Sequence, residues 1–224
     1  MNDIPVLVPV KGKSVRCPNK NETLLPFTLN YLKREGFENV YVISDSKELL
    51  GIAKDYKFNA FFEQWKEGGD ELHSSWSLMQ DLNYESFVLS SVTHPFKSYR
   101  LISQMIGLME LSANVPDFIA TSNTFPDRKQ YFLEKKQGNE YRFKFNFKNR
   151  KGSLSDSPEE MIDGAIYLIK KAFLEKVVKS NDSNLTFWSG NFSCIPNSAP
   201  FFDIDTIEDL KRFLSFISQF TAQV

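Results

Sequence analysis

Apolar residues come along this chain in short blocks, separated by stretches in which they recur every three or four positions. Ile4 to Val8 is a compact run rich in branched residues and predicts a buried strand. A polar loop follows, and then Pro26, suited to the first turn of a helix that runs through Leu29 and Leu32 and stops at Gly36. Val40 to Ser44 predicts a second strand, after which Asp45 and Ser46 can cap a helix reaching Tyr56. The rhythm continues through a strand at Ala60 to Phe62, a helix from Ser74 to Leu82, a strand at Phe87 to Ser90, a helix from Tyr99 to Leu111, and a strand at Phe118 to Thr121. It resumes later with a strand at Ala165 to Ile169, a helix from Lys171 to Lys179, a strand at Phe192 to Ile195, and a last helix from Thr206 to Phe220. In that last helix Thr206 and Asp209 resemble a capping box, and Ile207, Leu210, Phe213, Leu214 and Ile217 form the apolar stripe. Alternation on this scale predicts an α/β fold in three layers, a mostly parallel sheet between helices. In such sheets ligands bind beyond the carboxyl ends of strands, which points to the loop after the first one.

The middle of the chain breaks the rhythm. From Tyr141 to Phe147 aromatic residues alternate with Arg142, Lys144 and Asn146, and Gly138-Asn139 separates this run from Tyr131 to Lys135. This predicts a β-hairpin inserted at residues 129–150 of a single domain spanning residues 1–224. Two readings stand: an arm folded onto its own domain, or a dimerisation arm whose aromatic face a second subunit covers.

Composition narrows the classes. With 42% hydrophobic and 14% aromatic residues the chain can bury an ordinary core. Lys and Arg total 27 against 28 acidic residues, so the net charge of −1 gives no general attraction to nucleic acid or to an anionic membrane. Ile4 to Val10 lacks a basic leader and a cleavage site, and no apolar stretch approaches the roughly 20 residues of a membrane span. The expected location is the cytoplasm. Cys17 and Cys194 stand far apart, which argues against a structural zinc site.

Positive charge is therefore local where it is dense. Lys11, Lys13, Arg16 and Lys20, with the amides around Gly12 and Ser14, suit an anion cradle for a polyphosphate, although a solvated basic loop would read the same way. The spacing is not that of a P-loop. Near the other end, "FFDIDTIEDL" sets Asp203 and Asp205 two apart in an extended segment, so both carboxylates can face one divalent cation, magnesium being the natural one. One of the pair could instead be a helix cap. Together the cradle and the carboxylate pair suggest an enzyme acting on a nucleoside triphosphate.

Several stretches, in order along most of the chain, resemble the CMP-sugar synthetases, and within them the CMP-N-acylneuraminate cytidylyltransferases. They are Pro9-Val-Lys-Gly-Lys-Ser-Val-Arg-Cys-Pro-Asn-Lys-Asn21, Val42-Ile-Ser-Asp-Ser-Lys-Glu-Leu49, Ser90-Ser-Val-Thr-His-Pro-Phe-Lys97, Asp163-Gly-Ala-Ile-Tyr167 and Asp203-Ile-Asp-Thr-Ile-Glu-Asp-Leu210. The resemblance implies a Rossmann-like nucleotide-diphospho-sugar-transferase fold and a homodimer joined through an inserted arm. It implies CTP over the first loop, with Lys11, Arg16 and Lys20 toward the phosphates and Pro9, Val10, Gly12, Lys13, Ser14, Asn21 and Ser74 in the nucleotide site. Ser91, Thr93, His94, Lys97 and Asp163 fall where the family meets its acidic nine-carbon sugar, and Asp203 and Asp205 where it holds Mg2+. The implied reaction is attack of the sugar's anomeric hydroxyl on the α-phosphate, releasing pyrophosphate and leaving the CMP-sugar.

The chain also departs from the family. The paired glycines become Gly12-Lys13, the lysine that follows becomes Val15, the sugar-associated glutamine is Ser91, and Asp163 stands in place of asparagine. A family arginine has no clear counterpart near Gln64. Two other readings therefore stay open: a same-fold nucleotidyltransferase for another sugar, such as 3-deoxy-manno-octulosonate or an amino sugar phosphate, and a catalytically idle homologue that binds nucleotide or sugar. His73 and His94 also read simply as loop histidines, and Asp45 as a cap.

Overall fold

The computed structural model describes residues 4–64, 69–125, 133–135, 141–143 and 159–221. Seven strands form one sheet in the order β3-β2-β1-β4-β8-β5-β9. They are β1 (Val6–Pro9), β2 (Val40–Ser44), β3 (Asn59–Phe62), β4 (Ser86–Ser90), β5 (Phe118–Phe125), β8 (Glu159–Lys170) and β9 (Phe192–Pro196). Only β8 runs against its neighbours, pairing antiparallel with both β4 and β5; every other pairing is parallel.

Helices cover both faces, as the alternation predicts. Val6 and Val8 point into a cluster with Leu24 and Leu29 of α1 (Lys20–Arg34), Leu49 of α2 (Lys47–Asp55), Ile102 of α4 (Leu101–Leu111) and Phe213 of α7 (Ile207–Thr221). Leu7 points to the opposite face, among Leu78 of α3 (Glu71–Met79), Phe173 of α5 (Lys171–Val178) and Phe187 of α6 (Ser183–Trp188). All three β1 side chains have no exposed surface, so a four-residue strand serves two cores, each such side chain contributing about 1.5–3 kcal/mol. The second core is centred on Phe118, which stacks on Phe187 at 4.5 Å and Phe192 at 5.1 Å between ring centroids. Among the described residues no helix is long and apolar enough to cross a membrane.

Element types match the sequence reading, and several boundaries differ. Helix α1 starts at Lys20, so Pro26 lies inside it rather than in its first turn. The earlier start reflects anchoring: the Thr23 N–H donates to Asn19 O, and the side chains of Lys20 and Asn21 are both held by other segments. Helix α3 begins three residues before Ser74 because Asp70 caps it, its carboxylate accepting from the His73 amide. Ser46 alone caps α2. Thr206 and Asp209 do form the reciprocal cap, with Thr206 N–H donating to Asp209 Oδ2 at 2.9 Å and Asp209 N–H to Thr206 Oγ1 at 3.2 Å. Helix α6 was not foreseen; six residues are too few for a periodic pattern.

Strands β6 (Leu133–Lys135) and β7 (Tyr141–Phe143) pair antiparallel in a sheet of their own. The rest of the expected arm at 129–150, with its Gly138-Asn139 turn, lies outside the described residues.

Phe118 carries the face beneath α5 and α6. Phe118→Ala is expected to destabilise the protein by about 3–5 kcal/mol, read as a lower urea midpoint at unchanged m-value; a loss under 1 kcal/mol would contradict the packing.

Candidate active site

The loop between β1 and α1 is pinned at three points. The Gly12 N–H donates to Asp45 Oδ1 at 2.6 Å, the Asn21 side-chain amide donates to Lys11 O at 2.6 Å, and the Cys17 N–H donates to Ser14 Oγ at 3.2 Å. A Cβ at Gly12 would stand 2.7 Å from the Ser46 Cβ, so no side chain fits there without moving α2. Asp45, read from sequence as a cap, instead fastens this loop to the end of β2. Lys11, Lys13 and Arg16 are exposed, whereas Lys20 is buried. Lys11 Nζ also donates to Gly69 O at 3.2 Å.

Ile204 brings the second end of the chain to this loop. Its amide donates to Thr93 O, and its carbonyl accepts from Lys20 Nζ at 2.8 Å. Asp205 then faces two cations: Arg16 in a two-point pair at 3.0 and 3.2 Å, and Lys20 at 3.4 Å. Asp203, two residues back, has Oδ1 3.6 Å from His94 Nε2. Both carboxylates are roughly half exposed, which leaves oxygens for a further ligand. Among the described residues no three His, Cys, Asp or Glu side chains gather as a metal cage. Two hard carboxylates suit magnesium, which is commonly held by one or two such groups with substrate phosphates completing its shell.

The loop after β4 supplies hydroxyls. Ser91 Oγ and Thr93 Oγ1 lie 3.0 Å apart, and both face His94 Nδ1. Burial pushes the His94 imidazole below its usual value, against the opposing charge of Asp203. Lys97 turns inward. Its ammonium donates to Ser91 O at 2.8 Å, His94 O at 2.7 Å and Thr28 Oγ1 at 3.2 Å, and burial pushes it down to about 7 despite the charge of Asp163.

Asp163 sits where β8 bulges away from β5, next to Gly164 at φ +75°. It is buried and accepts from Thr121 Oγ1, from the Ala165 amide at 2.9 Å and from Asn197 Nδ2 at 2.8 Å. Every one of these contacts is internal.

A cleft of about 680 Å³ opens at the carboxyl ends of β1 and β4. Of the residues singled out from sequence it gathers Pro9, Val10, Lys11, Lys13, Ser14, Arg16, Lys20, Asn21, Ser91, Thr93 and Asp205. Gly12, His94 and Asp203 are not among its lining residues. Ser74, Lys97 and Asp163 are not brought into it, since each is buried with its polar atoms already engaged, Ser74 Oγ donating to Glu63 at 2.6 Å. Sequence reasoning missed the opposite wall: Leu72, Tyr167, Asn184, Phe187 and Trp188. The available signal was Asp182, which caps α6 through the Leu185 amide just ahead of the apolar pair Phe187-Trp188. Burial, followed by the charge of Asp163, raises the Tyr167 phenol to about 12, so it remains a donor.

The sheet order and the helices on both faces make an open α/β domain, and its cleft brings the pinned cationic loop to Asp205. Solved structures agree on the fold. A CMP:2-keto-3-deoxy-manno-octonic acid synthetase complexed with CTP superposes with a TM-score of 0.66 at 13% identity, covering 96% of this chain and 98% of that one. A cytidylyltransferase from Leptospira borgpetersenii gives 0.66 at 18% identity, covering 98% and 88%. No family model matches the chain. In sequence it is 25% identical to a pseudaminic acid cytidylyltransferase of Campylobacter jejuni serotype O:2 and 24% identical to that of serotype O:23/36, each alignment covering 92% of both chains. The chain is a divergent relative of these cytidylyltransferases.

Lys97 makes a pH signature. Its folded value near 7 lies below the 10.5 of an exposed lysine, so between those values the unfolded chain binds the extra proton and stability rises with pH. Below pH 7 the burial penalty is fully present. Relative to Lys97→Met, the wild type should gain on the order of 1 kcal/mol per pH unit from pH 7 to 9.5. A pH-independent difference in urea unfolding would remove this assignment.

Proposed function

We propose that this chain is a cytidylyltransferase that activates a nonulosonic, sialic-acid-like sugar with CTP. The observation that carries the reading is one cleft where the cations of the β1–α1 loop meet Asp205 across from an aromatic wall. The similarity to the pseudaminic acid enzymes supports the base and the sugar class.

In this reading the triphosphate lies along the loop. Lys11, Lys13 and Arg16 meet its oxygens, while Pro9, Val10, Ser14 and Asn21 form the nucleoside side. Arg16 exchanges partners at small cost, because its pair with Asp205 is 70% exposed on the arginine side and such pairs are worth about 0–1 kcal/mol. Lys20, nearly buried, stays as a fixed charge beside Asp205. The Ser91 and Thr93 hydroxyls and the Tyr167, Phe187 and Trp188 wall orient the acidic sugar. Its anomeric hydroxyl attacks the α-phosphorus, the bond to the bridging oxygen of the β-phosphate breaks, and pyrophosphate leaves with that electron pair while the hydroxyl proton passes to solvent. The protein supplies position and charge. Asp203 and Asp205 would hold Mg2+, whose chemistry is to neutralise phosphate oxygens as charge shifts onto the leaving group. Lys97 and Asp163 act at a distance, setting the β4 loop and the β8 bulge. We place the protein in the cytoplasm, where CTP is drawn from, as a homodimer joined through the arm at 129–150.

Pyrophosphate release with Mg2+, each of the four nucleoside triphosphates and a panel of eight- and nine-carbon sugar acids tests this. Release is expected with CTP and a nine-carbon acid, and Asp205→Asn is expected to cut it by at least about 100-fold while the fold is kept. Release with another nucleotide in preference to CTP, or none with any acid, would sink the reading. Light scattering of the full chain should give the mass of two chains; a monomer at micromolar concentration would exclude the dimer.

A further inference from the structure

The cleft is not cationic throughout. Lys11, Lys13, Arg16 and Lys20 line it from the β1–α1 loop, while Asp70 and Glu71 line it from the start of α3. The remaining carboxylate of the lining, Asp205, is paired with Arg16 and Lys20. Asp70 and Glu71 have no lysine or arginine partner among the described residues, and Asp70 pairs with His73 at 2.7 Å. A triphosphate is therefore drawn to the loop and repelled from the α3 corner, so the part of a nucleotide that fits this corner is its uncharged base.

Asp70 is oriented as well as placed. Its Oδ1 accepts from the His73 amide at 3.0 Å and faces His73 Nδ1 at 2.7 Å, while its Oδ2 takes no hydrogen bond among the described residues. The carbonyl of the preceding residue, Gly69, accepts from Lys11 Nζ at 3.2 Å, which ties this corner to the loop on which the nucleotide rests. An ionised carboxylate accepts hydrogen bonds and donates none. Of the two pyrimidines, cytosine offers it an amino group at position 4, whereas uracil offers an oxygen that a carboxylate repels. We propose that Asp70 Oδ2 accepts from the 4-amino group of cytosine and so selects CTP over UTP. This rests on the reading of the chain as a CTP enzyme and names the residue that makes the choice.

Calorimetry of the full chain with Mg2+ compares CTP, UTP and the triphosphate of 2-pyrimidinone riboside, an analogue that carries hydrogen in place of the amino group. The wild type is expected to bind CTP at least about 10-fold more tightly than either. Asn and Ser both serve as helix caps, so Asp70→Asn and Asp70→Ser keep α3 while removing the carboxylate. Each is expected to weaken CTP by about 10-fold and to leave the analogue within about twofold. A folded variant that keeps the wild-type ratio of CTP to analogue, or that weakens both equally, makes Asp70 a cap alone and overturns the proposal with the CTP reading intact. A wild type that binds the analogue as tightly as CTP has the same meaning. A wild type that prefers UTP to CTP would sink the two readings together.

Discussion

The contact on which this site depends joins the two ends of the chain. Lys20 opens α1, and its buried ammonium takes the carbonyl of Ile204 at 2.8 Å, 184 residues away. A lysine leaves water at a considerable cost, so its partner must be fixed. The partner is fixed because the Ile204 amide is bonded to Thr93 O and its side chain is fully buried. Asp203 and Asp205, on either side of Ile204, consequently have their backbone placed by that buried residue, and Asp205 is further held by Lys20 and by its own amide, which donates to Asp209 Oδ2 at 3.3 Å. Arg16 adds charge to the arrangement but little stability, being exposed.

The reversed strand serves a related purpose. Because β8 runs against β4 and β5, its early residues return to the edge where the parallel strands end, and the bulge at Asp163-Gly164 falls beside the β4 loop. Asp163 takes donors from β5, from β8 itself and from Asn197 beyond β9, so one carboxylate locks three segments behind the cleft. A parallel strand would have placed those residues at the far edge of the sheet. The hydroxyls of Ser91 and Thr93 are held by the His94 ring above Gly164, and Lys97 fixes the carbonyls of Ser91 and His94, which removes freedom from this loop.

The fold was legible because its signals are local. Short branched runs, Gly36 and the Thr206/Asp209 cap declare themselves within a few residues, and the α/β rhythm follows from their order. What the residues do beyond their own element was much less legible. Asp45 reads as a cap, since a carboxylate ahead of a helix usually is one, yet Ser46 takes that role and Asp45 reaches Gly12, 33 residues back. Lys97 and Asp163 read as sugar contacts because polar residues in family-like motifs invite it, while their burial depends on Thr28, Thr121 and Asn197. Helix α6 left almost no periodic trace, and with it went the aromatic wall. In each case the deciding partner lies far along the chain.

The departures from the family pattern gain a physical order from the same geometry. Where the family pairs two glycines, only the first position is sterically closed, because a Cβ at Gly12 would meet the Ser46 Cβ at 2.7 Å. The second faces the cleft and is exposed, so Lys13 fits with no strain and brings a cation to the wall where Val15 contributes none. Lys13 thus supplies a cation two positions ahead of Val15, where the family has a lysine. His94 stands apart from that loop, its Nε2 3.6 Å from Asp203 Oδ1. The sterically closed backbone position, Gly12, is kept, and the substitutions at Lys13 and Val15 fall on exposed side chains.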